Sequence, residues 1–245
     1  FEKMGIKTFL PTSEQLTKRN KNRLSELLVG NGKISYPESI NITNAQFFHT
    51  CEEQGWIYPF VVKGVFYDAE IVYNAAQGTA AFNSISAQWG FPIIAQKLVR
   101  GEEYNVVALG DSEGELAGMV MMKKIALTAK GKANAGVSIY DENLHQACLE
   151  IMKTLRWKGP LEFEVMRDKQ NRYHLIEINP RFPSWVYLTA GVGQNLPIKL
   201  LKLLTGESIS TAPSKNAGIL FIRHAMESIV PMSSFESVAI EGGTL

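Results

Sequence analysis

Residues for covalent or zinc-based chemistry are scarce in this chain. Only two of its 245 residues are cysteine, Cys51 and Cys148. They stand too far apart for any metal-binding spacing, so buried, incidental thiols in a reducing compartment are expected rather than a bridge. The four histidines, His49, His145, His174 and His224, are scattered. No Ser-His-Asp or Cys-His grouping is legible, and none of the four is assigned to catalysis. An excess of one charge is missing too: a net charge of +1 leaves no basic field for nucleic acid, and aromatic and basic residues do not interleave. No apolar run approaches the ~18 residues of a membrane span, and no signal peptide is visible. The expectation is a soluble cytoplasmic protein without nucleic-acid or membrane partners. There is no internal repeat and no low-complexity tract. What remains, 45% hydrophobic content over this length, can bury a large core of the size found in one- or two-domain enzymes.

The chemistry concentrates between Leu161 and Pro183, LEFEVMRDKQNRYHLIEINPRFP. Leu161 to Met166 alternates apolar and acidic residues, the period of a half-buried strand, Arg167 to Asn171 is a polar turn, and Tyr173 to Asn179 reads as the returning strand. Side chains at i and i+2 share a face, so Glu162 with Glu164, and Glu177 with Asn179 and Arg181, converge across one hairpin. Such an all-oxygen set suits Mg²⁺ or Mn²⁺ shared with substrate phosphates and does not suit zinc. A solvated acidic hairpin would alternate in the same way, and the Asn-Pro-Arg after Glu177-Ile178 is what argues against it. If the return strand alternates throughout, His174 faces away from Glu177.

An acid on one strand followed by E-x-N-P-R on the next resembles the metal-binding end of ATP-grasp enzymes, of the carboxylate-amine ligase and carbamoyl phosphate synthetase large-chain type. The resemblance implies that Glu164, Glu177 and Asn179 hold two magnesium ions (or manganese) bridging ATP phosphates, and that Arg181 faces the reacting acyl phosphate. Further motifs follow in family order from about Lys18 to Pro197. Pro59-Phe60-Val61-Val62-Lys63 is an apolar strand whose lysine resembles the family's phosphate contact, although a strand-end lysine is more often a solvated edge charge. Ile93 to Val99 with Gly101-Glu102-Glu103-Tyr104 resembles the hinge. There Gln96, the Lys97 carbonyl and the Val99 N–H would read adenine, and Glu103, seven positions after Gln96, would bind ribose. Lys18-Arg19-Asn20-Lys21 precedes a helical pattern of Leu24, Leu27 and Leu28. By spacing Lys21 matches the family's helix-start lysine better than Arg19, and the choice between them stays open.

One departure is visible. Many members carry a glycine-rich flap after the strand lysine, whereas Gly64 to Ile71 reads here as a short hairpin. Phosphate cover is then expected from Met122-Lys123-Lys124 and a mobile loop from Ala129 to Gly136, with Lys124 and Lys132 as catalytic cations. An ordinary basic surface loop is the alternative. Trp185 and Tyr187 could line an acceptor pocket or belong to the core, and Arg223 could clamp a carboxylate or sit at an exposed edge.

The fold expected is α+β, an ATP-grasp fold with two α+β lobes sandwiching the nucleotide. Residues 1–34 would be the end of an N-terminal domain and a linker helix, 35–95 the small lobe, and 96–245 the large lobe with the metal site. The Rossmann-like domain that usually precedes is expected to be missing. Phe1 to Pro11 reads as a helix end and then a strand from Ile6 to Leu10. Helices are expected over Ala45 to Gly55, Asn74 to Trp89 (with Ala76, Ala80, Phe82 and Ile85 inward) and Leu144 to Leu155. Strands are expected at Ile57 to Lys63, Val65 to Val72, Glu103 to Gly110 and Leu116 to Lys123, besides the metal hairpin. The implied activity is an ADP-forming carboxylate-amine ligase acting on small-molecule or peptide acids and amines, with a homodimer compatible. The alternatives are a bicarbonate-using relative and a nucleotide-binding regulatory module.

Overall fold

The structure, a computed structural model, describes residues 2–128, 131, 133–224, 227 and 229–232. Two sheets organise it. The smaller comprises β2 (Ser39–Ile42), β3 (Phe60–Gly64), β4 (Ala69–Val72) and β5 (Ile93–Lys97), antiparallel in the order β2-β5-β3-β4. The larger has seven strands: β1 (Ile34–Ser35), β6 (Gly101–Gly110), β7 (Leu116–Leu127), β8 (Ala133–Ile139), β9 (Gly159–Asp168), β10 (Tyr173–Asn179) and β11 (Leu220–Ile222). Their order is β1-β10-β9-β6-β7-β8-β11. Only β1 runs parallel to its neighbour, β10.

Seven α-helices flank the sheets among the described residues: α1 (Ser13–Lys18), α2 (Leu24–Leu27), α3 (Phe47–Thr50), α4 (Ala75–Trp89), α5 (Glu142–Leu155), α6 (Leu188–Gly191) and α7 (Leu196–Thr205). None is long and apolar enough to cross a membrane. α5 shows why its sequence is helical. Asp141 caps it by accepting from the Leu144 N–H, and Leu144, Cys148, Ile151, Met152 and Leu155 recur at helical spacing to fill the core under the large sheet. Cys148 and Cys51 are both buried and free. α3 continues as a 3-10 turn over Cys51–Gln54 and stops at Gly55, whose φ of 78° puts it in the left-handed region, as the expected glycine stop requires.

Several expectations need correction. The strand at Ile6 to Leu10 does not form, because alternation alone supplies no hydrogen-bonded neighbour. Instead Thr12 opens α1 with a capping box to Gln15. In α4 the inward residues are Gly78, Ala81, Phe82 and Ile85, while Ala76 and Ala80 face outward. Gly78 is there because of packing: a Cβ would stand 2.3 Å from the Phe48 ring. The segment Ala133 to Gly136 is strand β8 rather than loop.

The irregularity that matters most lies in β10. Tyr173, Leu175 and Ile178 all enter the same core, so the inward phase shifts by one residue at a bulge between Leu175 and Glu177. That bulge turns Glu177 to the face of His174 and Ile176, against the expectation from unbroken alternation. His174 stands at the far end of that face. Its Nδ1 meets Ser35 Oγ at 2.9 Å and its Nε2 meets Asp168 Oδ2 at 2.9 Å. A Ser-His-Asp line therefore exists that sequence reasoning did not find, because Ser35 and His174 lie far apart in sequence. Asp168 also accepts from Arg172 and from the Gln170 backbone. The line thus ties β1 to the turn of the β9–β10 hairpin.

Candidate nucleotide and metal site

A cleft of about 380 Å³ opens between the two sheets. Its walls come from β3 and β4 of the small sheet, β5 and the segment after it, and β9 and β10 of the large sheet. It brings together Lys21, Lys63, Gln96, Lys97, Val99, Glu103, Lys124, Glu164 and Glu177, nine of the residues singled out from sequence.

At the small-sheet wall, β3 and β5 pair so that Val61 lies opposite Gln96. Lys63 Nζ donates to Gln96 Oε1 at 2.8 Å, and Gln96 Nε2 donates to Ser39 Oγ at 2.9 Å. Lys63 is 3% exposed, not the solvated strand end that its sequence also allowed. Burial, with Lys21 nearby, lowers its ammonium to about 7. Lys97 directs its ammonium to the Gly55 carbonyl and over the Trp56 ring, 4.6 Å from its centroid. What it lends to the cleft is therefore backbone. Across the cleft Lys124 Nζ pairs with Glu103 Oε2 at 2.8 Å.

Lys21, which lines the cleft, is 6% exposed. It opens a 3-10 turn, Lys21–Arg23, from which its Nζ reaches Glu177 Oε1 at 3.2 Å and the Phe66 carbonyl at 3.3 Å. Arg19 lies on the same side and donates from NH1 to the Ile178 carbonyl at 3.3 Å. Both cations weighed from sequence thus sit against β10, but only Lys21 lines the cleft.

The hairpin register sets the acids. Glu177 lies opposite Glu164, and Asn179 opposite Glu162. Asn179 Nδ2 donates to Glu164 Oε1 at 2.8 Å. Burial raises the Glu164 carboxyl above its usual range against the pull of Lys124, and Glu162 and Glu177 add to the rise. Glu162, not assigned as a ligand from sequence, is 3% exposed. It accepts from Asn105 Nδ2 at 2.6 Å and Trp185 Nε1 at 2.8 Å, with Asn179 Nδ2 at 3.4 Å and Arg181 NH1 at 3.5 Å. Its place on the Glu164 face was legible; Asn105 and Trp185, from distant elements, were not.

These donors fit a hard cation. Three carboxylates share one face, and Asn105 Oδ1 beside them is buried with no partner. Among the described residues no three His, Cys, Asp or Glu side chains are grouped tightly enough to hold a metal alone.

The remaining candidates divide. The Arg181 side chain is 58% exposed and only loosely tied to Glu162. Trp185 is 2% exposed within a core cluster with Leu188, Val192 and Leu196; the core takes it, not a pocket wall. Tyr187 is exposed. Arg223 follows β11, donating from NH2 to the Ser184 carbonyl at 2.8 Å and lying over the Phe221 ring, outside the cleft lining. Lys132 lies outside the described residues.

No curated protein matches the chain in sequence. Solved structures do match in fold. A biotin carboxylase from Campylobacter jejuni superposes with a TM-score of 0.71 at 19% identity, covering 86% of this chain and 51% of its own. An L-amino acid ligase from Bacillus licheniformis gives 0.59 at 17%, covering 78% and 48%. D-alanine–D-alanine ligase from Bacillus anthracis, complexed with ATP, gives 0.59 at 18%, covering 84% and 73%. The chain thus spans about half the length of the first two. The family model described as ATP-grasp in the biosynthetic pathway with Ter operon matches residues 91–225, from β5 through the β9–β10 hairpin to just past Arg223. That is more than half of the chain, and with the two-sheet cleft it makes this protein a member of that ATP-grasp family.

Proposed function

We propose that this protein is an ATP-dependent, ADP-forming ligase that activates a carboxylate as an acyl phosphate for attack by an amine, giving an amide or peptide bond. The observation that carries this reading is one cleft holding the Lys63–Gln96 pair at one wall and Lys21, Glu164 and Glu177 at the other. Support comes from ATP-grasp neighbours with ligase names, and from a 2-oxoglutarate carboxylase neighbour from Hydrogenobacter thermophilus in complex with MgADP.

A carboxylate resists amines because its oxygen is a poor leaving group. In the reaction proposed, that oxygen attacks the γ-phosphorus of ATP, the bond to the β,γ-bridging oxygen breaks, and ADP leaves. The amine then attacks the acyl carbon, phosphate leaves, and the amine proton passes to solvent. No enzyme nucleophile is required. Gln96, the Lys97 backbone and Val99 would orient adenine, with Glu103 on the ribose. Lys63 and Lys21 would neutralise the phosphates, and Lys124, released from Glu103, would reach the same oxygens. Glu164, Glu177 and Asn179 would hold Mg²⁺ or Mn²⁺, which when bound supplies further neutralisation of phosphate charge. Arg181, exposed and loosely held, would face the acyl phosphate.

The test is nucleotide product analysis on the intact protein with MgATP, a pool of carboxylates and a pool of amines. ADP and phosphate formed only with both pools is the expected result, and the product mass then names the substrates. AMP and pyrophosphate would overturn the mechanism. Turnover sustained by bicarbonate alone would mark a carboxylase-like enzyme, and tight MgATP binding without turnover a regulatory module.

A further inference from the structure

Strands β6 and β7 carry two lysine–glutamate pairs, one on each face of the large sheet. Tyr104 stands opposite Lys123, so the next step of the ladder sets Glu103 against Lys124. Lys123 pairs with Glu102, which also accepts from the Tyr104 hydroxyl at 2.9 Å, and neither Lys123 nor Glu102 lines the cleft. Lys124 and Glu103 both do. Their pair closes at 2.8 Å from Lys124 Nζ to Glu103 Oε2, with the lysine side chain 9% exposed and that of the glutamate 39%. On the other side of Lys124, β8 presents Gly136, which has no side chain to draw the ammonium away. Of the two adjacent lysines, only Lys124 is turned to the cleft, and a carboxylate of the same cleft holds it.

That pair sets up a competition. A ribose diol offers a carboxylate neutral O–H donors, whereas an ammonium offers charged N–H donors, which make the stronger bond. Opening the pair also strands a largely buried ammonium, and a buried charge is costly to leave without a partner. A ligand with ribose alone gives the released lysine nothing. A ligand with ribose and phosphate gives it phosphate oxygens while Glu103 gains the hydroxyls, so both halves of the broken pair are matched again.

We infer that Lys124 is a specificity-determining latch, closing Glu103 to free nucleosides and releasing it to ligands that carry a di- or triphosphate. This rests on the reading above of Glu103 as the ribose acid and Lys124 as a phosphate cation, and it names what that site rejects. No bond is made or broken: the ammonium changes partner, from carboxylate to phosphate.

The experiment titrates the intact protein with adenosine and, separately, with MgADP, read by calorimetry or NMR. Lys124→Met keeps the apolar stem and removes the charge. It should bind adenosine about threefold tighter or more, and MgADP about tenfold weaker or more. The wild type supplies a second readout that decides even if the variant does not fold. Adenosine is uncharged, so salt acts on its binding chiefly through the ion pair that it must open. Its affinity for the wild type should rise about twofold or more from low to high ionic strength, and in Lys124→Met that rise should vanish. Three results overturn the latch: adenosine bound no tighter by Lys124→Met than by the wild type, MgADP bound by the variant as tightly as by the wild type or more so, or a wild-type adenosine affinity that does not rise with salt. A wild type that fails to bind MgADP overturns the nucleotide reading itself, and the latch with it.

Discussion

Lys63 and Gln96 form a buried pair at 2.8 Å between β3 and β5, and Gln96 passes the contact on to Ser39 on β2. One amide thus joins three strands of the small sheet while standing in the cleft. Its replacement by leucine keeps the bulk and removes the acceptor. Gln96→Leu should lower stability by about 1–3 kcal/mol, because it leaves a buried amine unmatched, and should weaken ADP binding by about tenfold or more, or about 1.4 kcal/mol. Urea unfolding and ADP titration check the two effects; unchanged ADP affinity would remove Gln96 from the adenine site.

The same pair should make nucleotide binding depend on pH. The Lys63 ammonium is lowered from 10.5 to about 7 by burial and by Lys21, against the pull of Glu177 and Glu164. Unfolded, the amine keeps its proton to about pH 10, so between about 7 and 10 the unfolded chain binds more protons and this group's contribution to stability rises with pH. Phosphates favour the charged form. Binding of MgADP at pH 8 should therefore take up protons, approaching one per site, and affinity should fall as pH rises above 7. Titration calorimetry in two buffers of different ionisation enthalpy measures the uptake, which Lys63→Met should abolish.

Glu177 carries two duties in the proposal, ligating metal and holding Lys21 at 3.2 Å. Glu177→Ala should reduce magnesium-dependent turnover by about 10³-fold, about 4 kcal/mol of barrier, while ADP binding in the absence of metal stays within a few-fold. Turnover that survives the change would show that the metal site lies elsewhere.

Trp185 offers a separate test of burial against function. Trp185→Phe keeps an aromatic ring and deletes the donor to Glu162, which still has Asn105. A stability loss of about 1–2 kcal/mol is expected, with the acid and amine KM values unchanged. A raised KM without loss of stability would return the ring to an acceptor pocket.

The legibility of this site followed the range of its contacts. β10 is observed as expected, Tyr173–Asn179, because its apolar period is local. The strand expected from Ile57 begins instead at Phe60, after Pro59, which has no N–H to donate. The bulge before Glu177 was not legible, since it is set by which residues of β10 reach the core of the large sheet. The Glu162 carboxylate was visible as one of two acids on a face. That it gathers Asn105, Trp185, Asn179 and Arg181 depends on strand pairing across β6, β9 and β10.

By itself the sequence determined the residue types and their order: a lysine strand, a polar hinge, and then an acidic hairpin ending in Asn-Pro-Arg. Period and spacing are local properties of the chain, and they suffice to put oxygen-bearing side chains on one strand face. Only the tertiary structure decided that Lys63 is buried against Gln96 rather than solvated, that Lys21 rather than Arg19 enters the cleft, that Trp185 goes to the core, and that Lys21 ties the Phe66 carbonyl of the β3–β4 hairpin to Glu177. Each of those outcomes depends on which surfaces meet when the two sheets pack, and burial and charge pairing exist only after that contact is made.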